Sequence, residues 1–152
     1  MNIKPKVLIN VIPFNPDGDQ IFIGEKSEDD KLGVISGKLK FGEQFEDCAI
    51  RLISENLSIT IKDYDRIKFL CSYNIVDKFQ GIHNVAITYT FTVTPEDSKK
   101  FFKVNNFIFK SWNFVTFEEL LKYNEILSLG IKVFLKRFSI ESIDDIKNLI
   151  SN

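Results

Sequence analysis

The residues of this chain that could do chemistry concentrate in residues 37–59, the segment GKLKFGEQFEDCAIRLISENLSI. Glu55 carries a carboxylate, the kind of oxygen ligand that Mg²⁺ takes in proteins. Arg51 precedes it by four residues, so the two side chains can instead pair on the surface of a helix. Asn56 offers only a neutral amide oxygen, and Leu52 offers no oxygen at all. Of these three positions, only Glu55 therefore supplies a charged oxygen ligand for a divalent cation.

Other candidate side chains lie within this segment and elsewhere in the chain. Trp112 could stack on a nucleobase, since aromatic faces suit that role, although packing in the core is the favoured interpretation. His83 is the only histidine, and we interpret it as a residue of a strand edge or loop rather than a catalytic base. Solvated surface is the simplest interpretation of the remaining acids, although one of them could reach a pocket and act with Glu55. These acids are Glu28, Asp29, Asp30, Glu46, Asp47, Glu96 and Asp97.

Length and charge limit the class of protein. A chain of 152 residues has room for one domain with a real core, and we expect a single domain over residues 1–152. Lys and Arg number 20 against 21 Asp and Glu, so charge implies no nucleic-acid partner. Cys48 and Cys71 indicate neither a disulfide framework nor zinc, and we expect a reducing intracellular compartment, with the cytoplasm favoured. No apolar run approaches the ~20 residues of a membrane span, and no signal peptide is expected.

The elements that must position this segment follow from its periodicity. Residues 44–57 have helical spacing, with an apolar stripe of Phe45, Cys48, Ala49, Leu52, Ile53 and Leu57. Strands are predicted at 6–14, 20–25, 34–36, 59–61, 66–76, 85–93 and 106–115, the first two forming a hairpin. Helices are predicted at about 117–150, with Thr116 and Glu119 in a capping box, a helix over 125–138, and a last helix capped by Ser142. Periodicity alone thus predicts an α/β domain.

The spacing of residues 37–59 resembles the Nudix box, Gly-x5-Glu-x7-Arg-Glu-U-x-Glu-Glu-x-Gly-U, in which U is a bulky aliphatic residue. Six of its nine specified positions agree: Gly37, Glu43, Arg51, Ile53, Glu55 and Ile59. The segment KLKFGEQFEDCAIR is similar to the box of the small nucleotide-pyrophosphatase branch, and SWNFVTFEEL resembles the tryptophan strand and following helix of that family. The resemblance covers nearly the whole chain. It implies the Nudix fold, an α/β/α sandwich with a mixed β-sheet.

Three positions depart from the box, namely Leu52, Asn56 and Ser58. The resemblance places Leu52 and Asn56 where the family has glutamates that bind Mg²⁺ or Mn²⁺ and help to activate water. Ser58 stands where the family has a glycine that ends the helix in a left-handed conformation. Before the box, the sequence Val-Ile-Ser-Gly at residues 34–37 replaces the usual Leu-Pro-Gly-Gly, a turn that presents a backbone carbonyl to the metal.

The retained positions Gly37, Glu43, Arg51 and Glu55 are chiefly those of the scaffold. In the family, the pair equivalent to Glu43 and Arg51 ties the loop to the helix by an ion pair. Glu55 is the one carboxylate of the central group that remains as a candidate metal ligand. The resemblance therefore implies that the architecture is kept while the catalytic half of the box is mostly lost.

Three functions stay open. The first is a catalytically impaired Nudix-fold protein that serves as a structural or binding subunit of a larger assembly. It would use protein partners on the aromatic segment 101–117 or on the apolar side of the C-terminal helix, with no catalytic residue and no cofactor. The second is a weak or atypical pyrophosphohydrolase that uses Mg²⁺ or Mn²⁺, Glu55 and a carboxylate from another loop. The third is a nucleotide-binding module without hydrolysis, with Trp112 as a base platform.

Overall fold

The computed structural model describes residues 4–150, so residues 1–3 and 151–152 of the predicted domain lie outside the described part. Within it, one mixed sheet contains β1 (Lys6–Phe14), β2 (Ile21–Lys26), β3 (Leu32–Gly33), β4 (Ile35–Lys38), β5 (Lys68–Asp77), β6 (Ile82–Thr92) and β7 (Phe109–Val115). The helices are α1 (Phe45–Leu57), α2 (Pro95–Lys100), α3 (Phe117–Lys122), α4 (Leu129–Arg137) and α5 (Ile143–Lys147). Two 3₁₀ turns occupy Tyr64–Arg66 and Asn124–Ile126.

Strand β1 lies at the centre of the sheet. It pairs in parallel with β6 along its whole length and antiparallel with β4 through residues 8–11. Its pairing with β2 is confined to Phe14 and Ile21, so the predicted hairpin forms only at its turn. The side-chain oxygen of Asn15 holds that turn by accepting from the amides of Asp19 and Gln20, each at 3.0 Å. Beyond the turn, β2 pairs mainly with β7.

The two faces of the sheet carry separate apolar clusters. Helix α1 packs on one face, where Ile53 and Leu57 join the β1 residue Ile9 in a fully buried group. Helices α4 and α5 cover the other face through Phe134 and Ile146, which are also fully buried. This arrangement confirms the predicted α/β/α sandwich with a mixed sheet. Within residues 4–150, no helix combines the length and apolar character needed to cross a membrane.

Several predicted boundaries are wrong. An apolar pattern indicates that residues are buried, but it does not show that they belong to a strand or a helix. Residues 59–61, predicted as a strand, have no regular structure, yet Ile59 and Ile61 are buried beside α1. The helix predicted over 125–138 starts only at Leu129, since the preceding residues form a 3₁₀ turn and then pair with β3 through the Ser128 amide. Phe45, placed on the buried stripe, is 41% exposed at the first position of α1.

The capping predictions are confirmed. Thr116 and Glu119 form a capping box at α3, with the Glu119 amide donating to the Thr116 hydroxyl at 3.2 Å. The Ser142 hydroxyl accepts from the amide of Asp145 at the start of α5. The apolar side of α5 is part of the core, since Ile146 is fully buried. It is therefore not available as the partner surface that the sequence suggested.

Ser58 ends α1 in the left-handed conformation, with φ 61° and ψ 22°. Its amide donates to the Ser54 carbonyl at 3.0 Å, and its hydroxyl donates to the Lys103 carbonyl at 3.2 Å. The turn therefore keeps the geometry that usually takes glycine, and the Cβ of Ser58 adds strain.

Replacement of Ser58 by Gly or Ala separates this strain from the hydroxyl contact. Both changes remove the hydrogen bond to Lys103, but only Ala retains a Cβ in the left-handed region. We expect Ser58→Gly to be more stable than Ser58→Ala by about 1 kcal/mol in urea unfolding. Equal stability of the two variants would show that the turn relaxes.

Candidate functional site

An ion pair joins the loop before α1 to the helix. The Arg51 Nε donates to Glu43 Oε2 at 2.8 Å, and Nη2 donates to Oε1 at 3.1 Å. Arg51 Nη2 also donates to the Lys38 carbonyl at the end of β4, at 3.1 Å. Hydrogen bonding from Arg51, helped by the amide of Lys40, lowers the pKa of Glu43 to about 2. The ion pair expected from the sequence is therefore present, and it ties loop, helix and sheet together.

The carboxylate of Glu55 is engaged by the same arginine. Arg51 Nη1 donates to its two oxygens at 3.0 and 3.3 Å across one turn of α1. Glu55 is exposed and borders the cleft described below. A cation at Glu55 would therefore compete with Arg51 for the same oxygens.

Leu52 packs against Gly37 in the sheet. It is 4% exposed, and a Cβ added to Gly37 would lie only 2.4 Å from its Cδ2 atom. The missing side chain at Gly37 thus lets α1 approach β4 closely, with the isobutyl group of Leu52 filling the contact. A hydrocarbon occupies the position where the box has a glutamate.

Asn56 is 3% exposed and turns its amide back into its own helix. Its Nδ2 donates to the Leu52 carbonyl at 2.7 Å. The chain after α2 closes over this end of α1, because the amide of Asn105 donates to the Asn56 carbonyl at 2.8 Å and its side chain donates to the Glu55 carbonyl at 3.1 Å. The side chain of Asn56 therefore stabilises the C-terminal end of α1.

The box does not fit a divalent cation of the kind that the family uses. Of its candidate ligands, Leu52 has no oxygen, Asn56 donates into its helix, and Glu55 is bound by Arg51. Among the described residues, no group of three or more His, Cys, Asp or Glu side chains could hold a metal ion.

A cleft of about 380 Å³ opens beside the box. It brings Glu28, from the loop after β2, to the same space as Glu55. Of the acids that the sequence offered as possible partners of Glu55, Glu28 is the one that lines this cleft. Its lining residues are Lys26, Glu28, Ser36, Gly37, Arg51, Leu52, Glu55, Asn56, Phe107, Ile108 and Phe109. The cleft therefore contains acidic, basic and aromatic groups together.

Trp112 does not line this cleft. Its ring stacks on Phe22 at 5.8 Å with an interplanar angle of 15° and meets the edge of Phe102 at 5.0 Å. It is 43% exposed and borders a different groove, of about 260 Å³, with Tyr123. A nucleobase on Trp112 would therefore lie apart from the box.

A second cavity, of about 160 Å³, lies between the sheet and α4. It shares Lys26 and Ser36 with the cleft, so the two spaces adjoin. Apolar side chains form most of its wall, and Asn10, Tyr73 and Thr88 add polar atoms. We call it the inner cavity. Sequence patterns do not predict this cavity, since Asn10 and Thr88 belong to predicted strands whose polar residues normally face solvent.

Lys26 is half-buried at the end of β2. Burial lowers the pKa of its ammonium, and the nearby acids Glu28 and Asp29 partly counter that effect. Nothing in the sequence distinguishes this residue, because a lysine beside an acidic loop is usually solvated.

Several of the other residues considered as catalytic or metal-binding candidates make contacts within the fold. Asp97 is buried, pairs with Arg66 at 2.6 Å and caps α2. Glu46 accepts from the Tyr89 hydroxyl at 3.1 Å. His83 lies within β6, where its ring nitrogen is 3.3 Å from the side chain of Asn74. Burial raises the pKa of the Cys48 thiol to about 11, so it is an unreactive core residue.

Known proteins share features of this sequence and this fold. A sequence model of the NUDIX domain matches residues 4–137. No curated protein sequence matches the chain. The crystal structure of MutT protein from Methanosarcina mazei Go1 is 16% identical, with a TM-score of 0.68 over 98% of this chain and 96% of that chain.

Two further structures show the same fold. The NUDIX domain of Shewanella oneidensis NrtR, solved with ADP ribose, is 11% identical with a TM-score of 0.61 over 86% of this chain and 89% of that chain. A MutT/nudix family protein from Enterococcus faecalis is 15% identical with a TM-score of 0.60 over 75% of this chain. The match spans only 44% of the Enterococcus protein.

The ion pair of Glu43 predicts how stability depends on pH. Its folded-state pKa of about 2 lies below the ordinary value of 4.5, so the pair stabilises the fold above pH 4.5 and loses this contribution as pH falls towards 2. We expect Glu43→Gln to have a lower free energy of unfolding than the unsubstituted protein at about pH 6. This difference in free energy should shrink as the pH falls from 4.5 to 2. Urea unfolding over this range measures it. A stability difference that stays constant over this pH range would contradict this role of the ion pair.

The contact between Gly37 and Leu52 predicts an energetic coupling. Gly37→Ala should cost about 1 to 2 kcal/mol, because its Cβ would overlap the Leu52 side chain. In a Leu52→Ala background the same change should cost little, and a double-mutant cycle in urea measures the difference. Gly130→Ala is the matched control, since its Cβ would meet Ile75 at an ordinary 3.4 Å. Additive costs of the two changes would contradict the contact.

Proposed function

The chain belongs to the NUDIX domain family, and we propose that it is a catalytically impaired member that acts by binding, as a structural or ligand-binding subunit of a larger assembly. The observation that carries this proposal is the pairing of Leu52 with Gly37. A hydrocarbon that is 4% exposed fills the place of a catalytic carboxylate. A side chain of this kind offers no oxygen to a hydrated cation.

The remaining groups of the box do not compensate for this loss. Asn56 cannot accept a proton from water, and its amide hydrogen is committed to the Leu52 carbonyl. Glu55 is held by Arg51, which competes with any cation or proton for the same oxygens. Loss of a positioned general base alone typically lowers a rate by about 10²- to 10⁴-fold. These residues therefore support the fold of α1 more than they support chemistry.

Exposed aromatic side chains support a binding role. Phe101 and Phe107, in the segment that the sequence analysis proposed as a partner surface, are 52% and 89% exposed. Phe41, at the tip of the loop before α1, is fully exposed. Such side chains are common at protein interfaces, where burial of their area stabilises a complex.

A nucleotide-like ligand is the second candidate, and the adjoining cavities favour it. The cleft and the inner cavity together offer a cation, polar atoms and apolar walls, the usual composition of a small-molecule site. The NrtR domain with the same fold was solved with ADP ribose. Binding without turnover is compatible with the damaged box.

The direct test is a turnover assay at high enzyme concentration with Mg²⁺ or Mn²⁺. We expect no hydrolysis above background of nucleoside triphosphates, ADP-ribose or capped nucleotides. Glu55→Gln and Glu28→Gln should leave this background unchanged, because neither carboxylate activates water.

A metal-dependent rate that falls in either variant would contradict the proposal and would indicate an atypical pyrophosphohydrolase that uses both sides of the cleft. Glu118→Gln serves as the matched control for a surface acid outside the cleft. Isolation of the protein from its native source as a free monomer without partners would contradict the subunit role.

A further inference from the structure

Strand β5 forms one edge of the mixed sheet. It stands last in the strand order β3-β2-β1-β6-β5, and within residues 4–150 it pairs with β6 alone. Apart from that ladder, its backbone makes no backbone–backbone hydrogen bond to any other described part of the chain. The strand is 10 residues long and contains no proline. An edge of this kind, with a row of unpaired N–H and C=O groups, is a template for pairing with a further strand.

A bulge sets the register of β5. Its pairing with β6 shifts between Phe69 and Cys71, so Leu70 has no partner in the ladder. Without Leu70, the ladder positions of the strand are Lys68, Phe69, Cys71, Ser72, Tyr73, Asn74, Ile75, Val76 and Asp77. Tyr73 is therefore the central position, with as many ladder positions before it as after it.

The charges of β5 are complementary to each other across this centre. If a second copy of β5 pairs antiparallel with the first about Tyr73, Lys68 lies opposite Asp77 of the second copy. The contact occurs twice, because such a pair has two-fold symmetry. Within residues 4–150, neither side chain belongs to an ion pair. The amide of Phe79 donates to the Asp77 carboxylate at 3.0 Å, which holds it at the end of the strand. Opposite charges at facing positions stabilise strand pairing, whereas like charges destabilise it.

The exposed apolar side chains of β5 match in the same register. Phe69 and Val76 pair with Tyr89 and His83 of β6, which are six residues apart, so both lie on one face of the sheet. They are 43% and 49% exposed. Pairing about Tyr73 places Phe69 opposite Val76 of the second copy and removes apolar area of both from water. Burial of this area stabilises the pair of copies.

Strand β7 also pairs with one strand only, β2, but it lacks this pattern. Its sequence FKSWNFV contains one lysine, Lys110, and no acid. Lys110 already pairs with Asp30 of its own chain. Two copies of β7 would therefore gain no ion pair between them, and the self-complementary pattern belongs to β5.

We propose that β5 is a self-association edge, through which two copies of the chain form a symmetric dimer with one continuous sheet. The two strands run antiparallel and centre on Tyr73, with Lys68 opposite Asp77 at both ends. No residue of β5 lines the cleft beside the box, so the interface is separate from it. The dimer names a second copy as a partner for the proposed subunit role and rests on that role.

The first test is sedimentation equilibrium of the full chain over a range of concentrations, in which we expect a monomer–dimer equilibrium. Lys68→Glu should weaken dimerisation by about 10-fold or more, because it places two acids opposite each other at both ends of the interface. Lys68 is exposed, so the variant should stay folded, which circular dichroism checks. The matched control is Lys31→Glu, at an exposed lysine just before β3, the opposite edge strand. It should change the affinity less than about 2-fold.

Cysteine cross-linking tests the register independently. In the proposed dimer, Ser72 lies opposite Asn74 of the second copy, and both side chains are exposed. Facing residues of antiparallel strands lie within the Cα separation that a disulfide spans. A mixture of Ser72→Cys and Asn74→Cys proteins in oxidised glutathione should therefore form a cross-linked dimer, whereas either variant alone should cross-link much less. The native Cys48 and Cys71 are buried and should not compete.

A monomeric mass at every concentration, or equal dimer affinities of Lys68→Glu and Lys31→Glu, would overturn this interface. So would a mixture of the cysteine variants that cross-links no better than either variant alone. Failure of the proposed function is seen separately, as turnover in the metal-containing assay, whatever the mass of the protein.

Discussion

The contacts of Arg51 set the geometry on which the rest of the site depends. One guanidinium holds Glu43 of the loop, Glu55 of the helix and the Lys38 carbonyl at the end of β4. Because it spans three parts of the chain, it fixes how α1 lies against the sheet. Its two exposed contacts with Glu55 add little stability on their own, whereas the pair with Glu43 is less exposed and doubly hydrogen-bonded. The loop and helix are therefore held in place by contacts within the chain.

With α1 held in this position, Leu52 and Asn56 have become part of the protein interior. Leu52 sits over Gly37 in the close approach of helix to strand, and Asn56 closes the helix end with its amide. In that position a carboxylate in place of Leu52 would be an uncompensated buried charge unless a cation bound to it. A leucine removes this requirement and contributes apolar burial instead. Apolar packing at this position therefore stands where the box has an oxygen ligand.

The same loss changes the electrostatics of the adjoining spaces. A box that gathers divalent ions presents positive charge to phosphates, whereas here the cleft relies on the side chains of Lys26 and Arg51. Arg51 pairs with two acids, and Lys26 lies at the junction of the cleft and the inner cavity, close to Glu28 and Asp29. Burial disfavours the charged form of Lys26, so an anion at this point would relieve part of that cost.

The sequence by itself determined the local features of this protein. Helical spacing located α1, the spacing of Glu43 and Arg51 indicated the ion pair, and the side chain of Leu52 excluded a metal ligand whatever its surroundings. The caps at Thr116 and Ser142 were equally local, since their partners lie three residues away. The family resemblance extended these features to the fold.

Only the tertiary structure decided which distant side chains meet. The parallel pairing of β1 with β6 places Thr88 beside Asn10, and the turn after β2 brings Lys26 and Glu28 to the box. The stacking of Trp112 on Phe22 and the burial of Ile146 likewise depend on elements far apart in the chain. Periodicity reports which face of a strand or helix is apolar but not what will cover it. Contacts of high sequence separation therefore had to come from the folded molecule.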